Sequence, residues 1–184
     1  MSSEKTTERQ FPSSMRFLHW LMAALVLAML CIGVSMVASL ADYHTLVSIH
    51  RPLGTLILIL VVIRFVNRLL SNVPPLPPDF PSRERLVAAA SEVLLYTLLF
   101  VIPLVGWAML SAAGYPIVLF GSVHLFHILP RNLVLYAFLR KTHTILAYLL
   151  FIAFVAHFSA VLFHTWVMRD GLFERMAPWR VRAR

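Results

Sequence analysis

Residues 142–166 read THTILAYLLFIAFVAHFSAVLFHTW, 25 residues without one Asp, Glu, Lys or Arg. A run this long and this apolar can cross a bilayer, for which about 20 such residues cover the ~30 Å hydrocarbon core. Three imidazoles interrupt it, at His143, His157 and His164. Polar groups at that depth are costly, and they serve either to tie helices together by hydrogen bonds or to do chemistry. Which of these the histidines do decides both the fold and the function.

The rest of the chain shares the same solvent. Of 184 residues, 60% are hydrophobic and 13% charged, with a mean hydropathy of +0.81, more apolar surface than a water-soluble domain of this size can hide. Spans are predicted at about 17–40, 45–69, 86–111 and 142–167. The expectation is an all-α integral membrane four-helix bundle, a single domain over residues 1–184 in contact with membrane lipid. The N-terminal MSSEKTTERQFPSS is polar and lacks the short apolar region and cleavage site of a signal peptide, so the first span is expected to serve as its own insertion signal. The single cysteine, Cys31, excludes an intramolecular disulfide and a Cys-based metal cluster within one chain, and reads as a small apolar filler.

Charge predicts orientation. Lys5, Arg9 and Arg16 precede the first span, Arg64, Arg68, Arg83 and Arg85 surround the second connection, and Arg169, Arg175, Arg180, Arg182 and Arg184 follow the fourth span. These are 12 of the 16 basic residues; only Arg51, Arg131, Arg140 and Lys141 fall on the other side. The positive-inside rule then puts both termini in the cytoplasm of a bacterial inner membrane. The net charge of +8 is not read as nucleic-acid binding, because the basic residues flank spans and face lipid head groups.

The connections differ. VPPLPPDFP, residues 73–81, is stiff and cannot continue a helix. Residues 112–141 exceed the need of a hairpin and contain Gly114, Pro116, Gly121 and Pro130, which predicts a long outer loop lying at the interface or as a lid.

The histidines sort by depth. His157 lies 14 residues after His143, so roughly 21 Å deeper and within about 40° of the same helix face. One metal ion cannot bind both. His50, near the outer start of the second span, shares a depth with His143; His19, near the inner start of the first, shares one with His157. Two opposed imidazoles in a bundle core are what bis-histidine haem b ligation requires. Gly54 and Ala147 would leave room for the ring in the outer layer, Ala23 and Ala153 in the inner one, with Arg16 and Arg51 near for its carboxylates. Zinc is the competing reading, but it wants three or four ligands and each layer offers two. The plainest alternative leaves every histidine as an interhelical hydrogen-bonding group.

At these residues the chain resembles the bacterial cytochrome b-561 family. The resemblance rests on RFLHWL (16–21), SIHRPLG (48–54), VVIRFVNRL (61–69) with an arginine 14 residues after His50, YTLLFVIPLVGW (96–107), KTHTILAY (141–148) and AHFSAVLFHTWVMRDGLFERMAP (156–178). No single motif is diagnostic, but their order over almost the whole chain is. Members are four-helix, di-haem inner-membrane proteins, so the resemblance implies two haem b groups, His19 with His157 and His50 with His143, the same pairs that depth suggests. It further implies electron transfer to ubiquinone, in some members from superoxide; related cytochromes serve as membrane subunits of hydrogenases and similar complexes.

His164 remains, about two turns nearer the cytoplasm than His157 and so unable to ligate the same iron. It is either an interfacial histidine without a task or a group that hydrogen-bonds a quinone carbonyl and exchanges its proton, and the resemblance favours the quinone. Trp166 and Arg169 are its neighbours or interface anchors. On the outer side Arg51, Arg140 and Lys141 either snorkel to head groups or form a positive funnel for a small anion such as superoxide. Resembling relatives carry lysine where Arg140 stands. Glu92, where some relatives have histidine, is a proton carrier or pairs with Arg85 or another cytoplasmic arginine. The expected activity is oxidoreduction between superoxide and quinone; the alternatives are an electron-transfer subunit that docks a redox partner protein, and a haem-free structural protein.

Overall fold

The computed structural model describes residues 10–75, 80–119 and 122–179. The readings made on the extreme N-terminus, on Lys5, Arg9, Gly121, Arg180, Arg182 and Arg184, and on the middle of the proline-rich connection lie outside the described residues. Four long helices dominate: α1 (Ser13–Ala38), α2 (Tyr43–Leu70), α3 (Ser82–Ala113) and α4 (Leu133–Phe163). Each is long and apolar enough to cross a membrane. A helix is the open-chain solution there, because it satisfies every backbone N–H and C=O within one segment. Leu27, Val34, Ile59, Phe65, Val93, Phe151 and Val155 stay exposed along their outer faces, as a lipid solvent permits.

Inside, one residue from each helix meets at mid-height: Val26, Ile57, Leu98 and Leu150, flanked by Met29, Leu53, Ile102, Ala153 and Phe154. Helices α1 and α2, α2 and α3, and α3 and α4 pack as neighbours, whereas the α4 backbone stands off from those of α1 and α2. The two histidine layers occupy that wider side of the bundle.

The fourth helix starts well before residue 142. Asn132 accepts a 3.0 Å hydrogen bond from the Leu135 N–H, the N-cap contact that a short polar side chain offers to an unsatisfied donor, and LVLYAFLR then continues into the span without a breaker. Helix α4 has 31 residues, about 46 Å at ~1.5 Å per residue, longer than the ~30 Å of hydrocarbon that a span needs to cover. The outer connection therefore shortens to residues 114–132. It contains a small antiparallel hairpin, β1 (Ile117–Leu119) with β2 (Val123–Leu125), in the register Ile117 to Leu125. Gly114 ends α3 in the left-handed region at φ 72°, and a Cβ there would lie 3.2 Å from Arg131 Cδ. Only glycine meets both conditions without strain.

At the opposite end, three segments interlock. The Arg16 guanidinium donates to the Ala177 and Trp179 carbonyls, both at 2.9 Å, and Trp20 Nε1 donates to that of Met176. Arg175, in the short helix α5 (Leu172–Met176), donates to the carbonyls of Pro74 and Pro75 at 2.9 and 2.7 Å and packs over the Phe11 ring. These donors satisfy carbonyls that the broken chain leaves outside helices. The N-terminal segment, the second connection and the C-terminal segment thus share one end of the bundle. Cys31 is exposed, so it faces outward and fills no interior gap.

Candidate functional site

The outer histidine layer joins α2 to α4. The rings of His50 and His143 face each other with centroids 6.2 Å apart and planes at 69°. A pocket lies beside them, lined by Met29, Gly54, Ile57, Ile102, Pro103 and Leu150. Gly106 on α3 backs the His143 ring so closely that a Cβ there would come within 3.3 Å of its Cε1. Nδ1 of both imidazoles is buried; that of His50 has no hydrogen-bond partner among the described residues, while the Ile102 backbone lies within hydrogen-bonding reach of the His143 ring.

The inner layer joins α1 to α4. His19 and His157 lie with centroids 6.4 Å apart and planes at 66°. Here α2 adds Arg64, whose Nη2 is 3.1 Å from His19 Nδ1 and whose Nε donates to the Tyr96 hydroxyl at 3.0 Å. Its Nη1 is buried without a partner among the described residues. An arginine is always charged, so Arg64 puts a fixed positive charge in contact with the inner layer, and Arg51, next to His50, puts one beside the outer layer. The apolar cluster of Val26, Ile57, Leu98 and Leu150 contributes no charged side chain to the core.

These pairs are spaced as two imidazoles would be if they shared one metal. A metal–imidazole bond of about 2 Å, with about 1 Å more from each nitrogen to its ring centre, gives an intercentroid distance of about 6 Å. A zinc cage is a poorer match, since no group of three or more His, Cys, Asp or Glu that could hold a metal occurs among the described residues. The stand-off of α4 from α1 and α2 is where these histidines would hold a planar macrocycle, with the pocket beside His50 and His143 at one level. Gly54 lines the outer pocket and Ala153 packs on the central cluster; Ala23 and Ala147 are half-buried.

The remaining site residues fall at the two ends. Arg140 and Lys141 are exposed on α4 within a turn of His143, and Arg51 is half-buried beside His50. No carboxylate pairs with any of the three among the described residues. Arg16 is committed to the C-terminal carbonyls, with Nε buried and unpartnered. Glu92 pairs with Arg68 at 2.8 Å, both side chains about a third exposed (36% and 32%), which settles its partner; such a pair is worth at most about 1 kcal/mol.

At His164 the α-helix gives way to a π-helical turn over His164–Met168. His164 Nδ1 lies 2.5 Å from the Asp170 carboxylate, and its ring rests beside that of Phe80 at 6.1 Å. Arg169 Nε turns to the Trp166 carbonyl at 3.2 Å, while the Trp166 side chain is exposed. Sequence reasoning passed over Gly106, Tyr96 and Asp170. A glycine inside an apolar span was a visible signal for the first, given the helix propensity it costs; the other two act through contacts between distant segments or around an irregular turn.

A family model described as prokaryotic cytochrome b561 matches residues 10–179. The chain is 33% identical to cytochrome b561 homolog 2 of Escherichia coli K12 over 179 residues, 96% of this chain and 95% of that one. It is 28% identical to a probable superoxide oxidase, CybB, of Yersinia pestis, covering 88% of this chain and 92% of the relative. Against cytochrome b561 homolog 1 of Escherichia coli K12 the identity is 23%, over 93% and 98% of the two chains.

Proposed function

The chain belongs to the prokaryotic cytochrome b561 family, and from that premise we propose that it moves electrons from superoxide at the periplasmic face of the bacterial inner membrane to ubiquinone near the cytoplasmic face. Membership makes it a haem b protein of membrane electron transfer; the number of haems, the donor and the acceptor are our reading. The observation that carries this reading is the pair of opposed imidazoles at each of two levels, His50 with His143 and His19 with His157, at nearly equal spacing.

Two haem b groups, when bound, supply reversible one-electron carriers at these levels. The chain does the rest. His50 and His143 hold the outer group, with Gly106 leaving room for the His143 ring. His19 and His157 hold the inner one, beside the charge of Arg64. Arg51, next to His50, is near the outer layer for carboxylates, whereas Arg16 is held by the Ala177 and Trp179 carbonyls. Arg140, Lys141 and Arg51, free of carboxylate partners among the described residues, draw a small anion towards the outer level by long-range attraction. At the other end His164 meets the quinone and delivers a proton to its oxygen. Two superoxide ions give two electrons and leave as dioxygen, while one quinone takes those two electrons and two protons to become the quinol. The resemblance to a probable superoxide oxidase supports the donor, and the contacts of Gln10, Arg16 and Trp20 with residues 174–179 support a single side for these two segments.

The test uses the purified, haem-loaded protein, superoxide and a short-chain ubiquinone. The expected result is two b-type signals in the reduced-minus-oxidised spectrum and quinol formation well above the protein-free rate. Reduction by superoxide no faster than without protein would transfer the donor role to a redox partner protein, with this chain as its membrane subunit.

A further inference from the structure

Asp170 sits where an ordinary helix end would not put it. The π turn closes with the Arg169 N–H donating to the His164 carbonyl at 2.7 Å, and Arg169 itself is left-handed at φ 52°. It is the one non-glycine residue with positive φ among the described residues, a conformation that costs about 1–2 kcal/mol. Gly171, also left-handed at φ 77°, follows. Between these two reversals the Asp170 carboxylate is turned back on the helix it has just left. Oδ2 reaches His164 Nδ1, and Oδ1 accepts the Leu172 N–H at 3.2 Å.

We propose that Asp170 is the positioning residue of the quinone end: its carboxylate accepts the Nδ1–H of His164, fixes the ring and its tautomer, and leaves Nε2 as the nitrogen that serves the quinone oxygen. This rests on the reading of His164 as the quinone group. Two arginines of the same stretch are engaged elsewhere: Arg169 Nε goes to the Trp166 carbonyl and Arg175 to those of Pro74 and Pro75. Among the described residues, no hydrogen bond engages Nε2. The His164 and Asp170 side chains keep 21% and 26% of their surface accessible, and Phe80 supplies a flat apolar wall on one side of the ring. An aromatic wall beside a proton-bearing nitrogen suits a planar, neutral carbonyl ring. In the step itself, the doubly protonated imidazole gives the Nε2 proton to one quinone oxygen and keeps the Nδ1 proton on Asp170. The second oxygen takes its proton from water, the two electrons come from the reduced protein, and solvent reprotonates Nε2. Backbone strain at an irregular helix end that orients one polar side chain is the pattern expected of a functional site.

The experiment compares Asp170→Asn, His164→Ala and the double variant in the haem-loaded protein. Each is pre-reduced and mixed with short-chain ubiquinone, with reoxidation followed by stopped-flow absorbance. Asparagine keeps an oxygen for the Leu172 N–H but can present an amide N–H to Nδ1, which selects the other tautomer, as the equivalent change does in a Ser-His-Asp triad. We expect reoxidation at saturating quinone to slow by about tenfold or more, with the half-saturating quinone concentration nearly unchanged and the solvent deuterium effect increased. In the His164→Ala background Asp170→Asn should add nothing, because it acts through the missing ring. If Asp170→Asn reoxidises at the normal rate while His164→Ala is slow, or if the two losses multiply, the positioning role is overturned and the quinone reading of His164 stands. If His164→Ala itself reoxidises normally, that reading fails and the positioning role with it.

Discussion

His143 is the residue on which the outer layer turns, and what stands behind it is a missing side chain. Gly106 lies in the interior of α3, where glycine costs about 1 kcal/mol relative to alanine, and a Cβ there would crowd the His143 ring at 3.3 Å. A methyl group demands a shift of a few tenths of an ångström; a branched side chain displaces the imidazole. Gly106→Leu is therefore expected to remove one of two b-type signals from the reduced-minus-oxidised spectrum and spare the other, as His143→Ala would. Retention of both signals would mean that Gly106 does not set the position of the ring. The inner layer has a different sensitivity, because Arg64 sits against His19 and Tyr96.

Among the elements, α5 is short and yet holds an end of the bundle together. Arg175 is 5% exposed and bonds two carbonyls of the second connection while its chain neighbours receive donors from Gln10, Arg16 and Trp20. Hydrogen bonds from a charged group are worth about 1.5–3 kcal/mol each, and removing their donor leaves carbonyls unsatisfied. Arg175→Met should lower the midpoint of thermal unfolding in detergent, by about 2–4 °C for each kcal/mol lost in a chain of this size. The same variant should reoxidise more slowly with quinone, since Phe80 and His164 lie on the segments it ties. An unchanged midpoint would show that the helices alone position this end. The early start of α4 has a similar local cause: the span was legible from its apolar run, but the Asn132 cap and the outward extension were hidden by a loop rich in aromatic residues.

On the proposed function, the donor and acceptor ends of the whole molecule lie on either side of two histidine levels, so damage at one end should leave the other step intact. Arg140→Glu should slow superoxide-driven reduction at low salt by about tenfold, with quinone reoxidation near normal. The loss should shrink as salt rises towards 0.1 M, where charges are screened over ~10 Å. An unchanged rate of reduction at low salt would remove Arg140 from the path of the anion. Four spans, the grouping of basic residues and the pairing of His50 with His143 and His19 with His157 could all be read from the chain itself. Each depends on length, apolarity or helical period, which act over neighbouring residues and need no knowledge of packing. The contacts of Arg64 with His19, Arg175 with Pro74 and Arg16 with Ala177 join positions 45, 101 and 161 residues apart, and no local pattern encodes them. Asp170 is close to His164 in sequence but reaches it only through a π turn and the left-handed Arg169. The sequence by itself determined which side chains stand at which depth. Only the tertiary structure decided which polar groups gather around those pairs and at the chain ends, because helix packing and irregular turns bring together groups whose separation along the chain carries no signal.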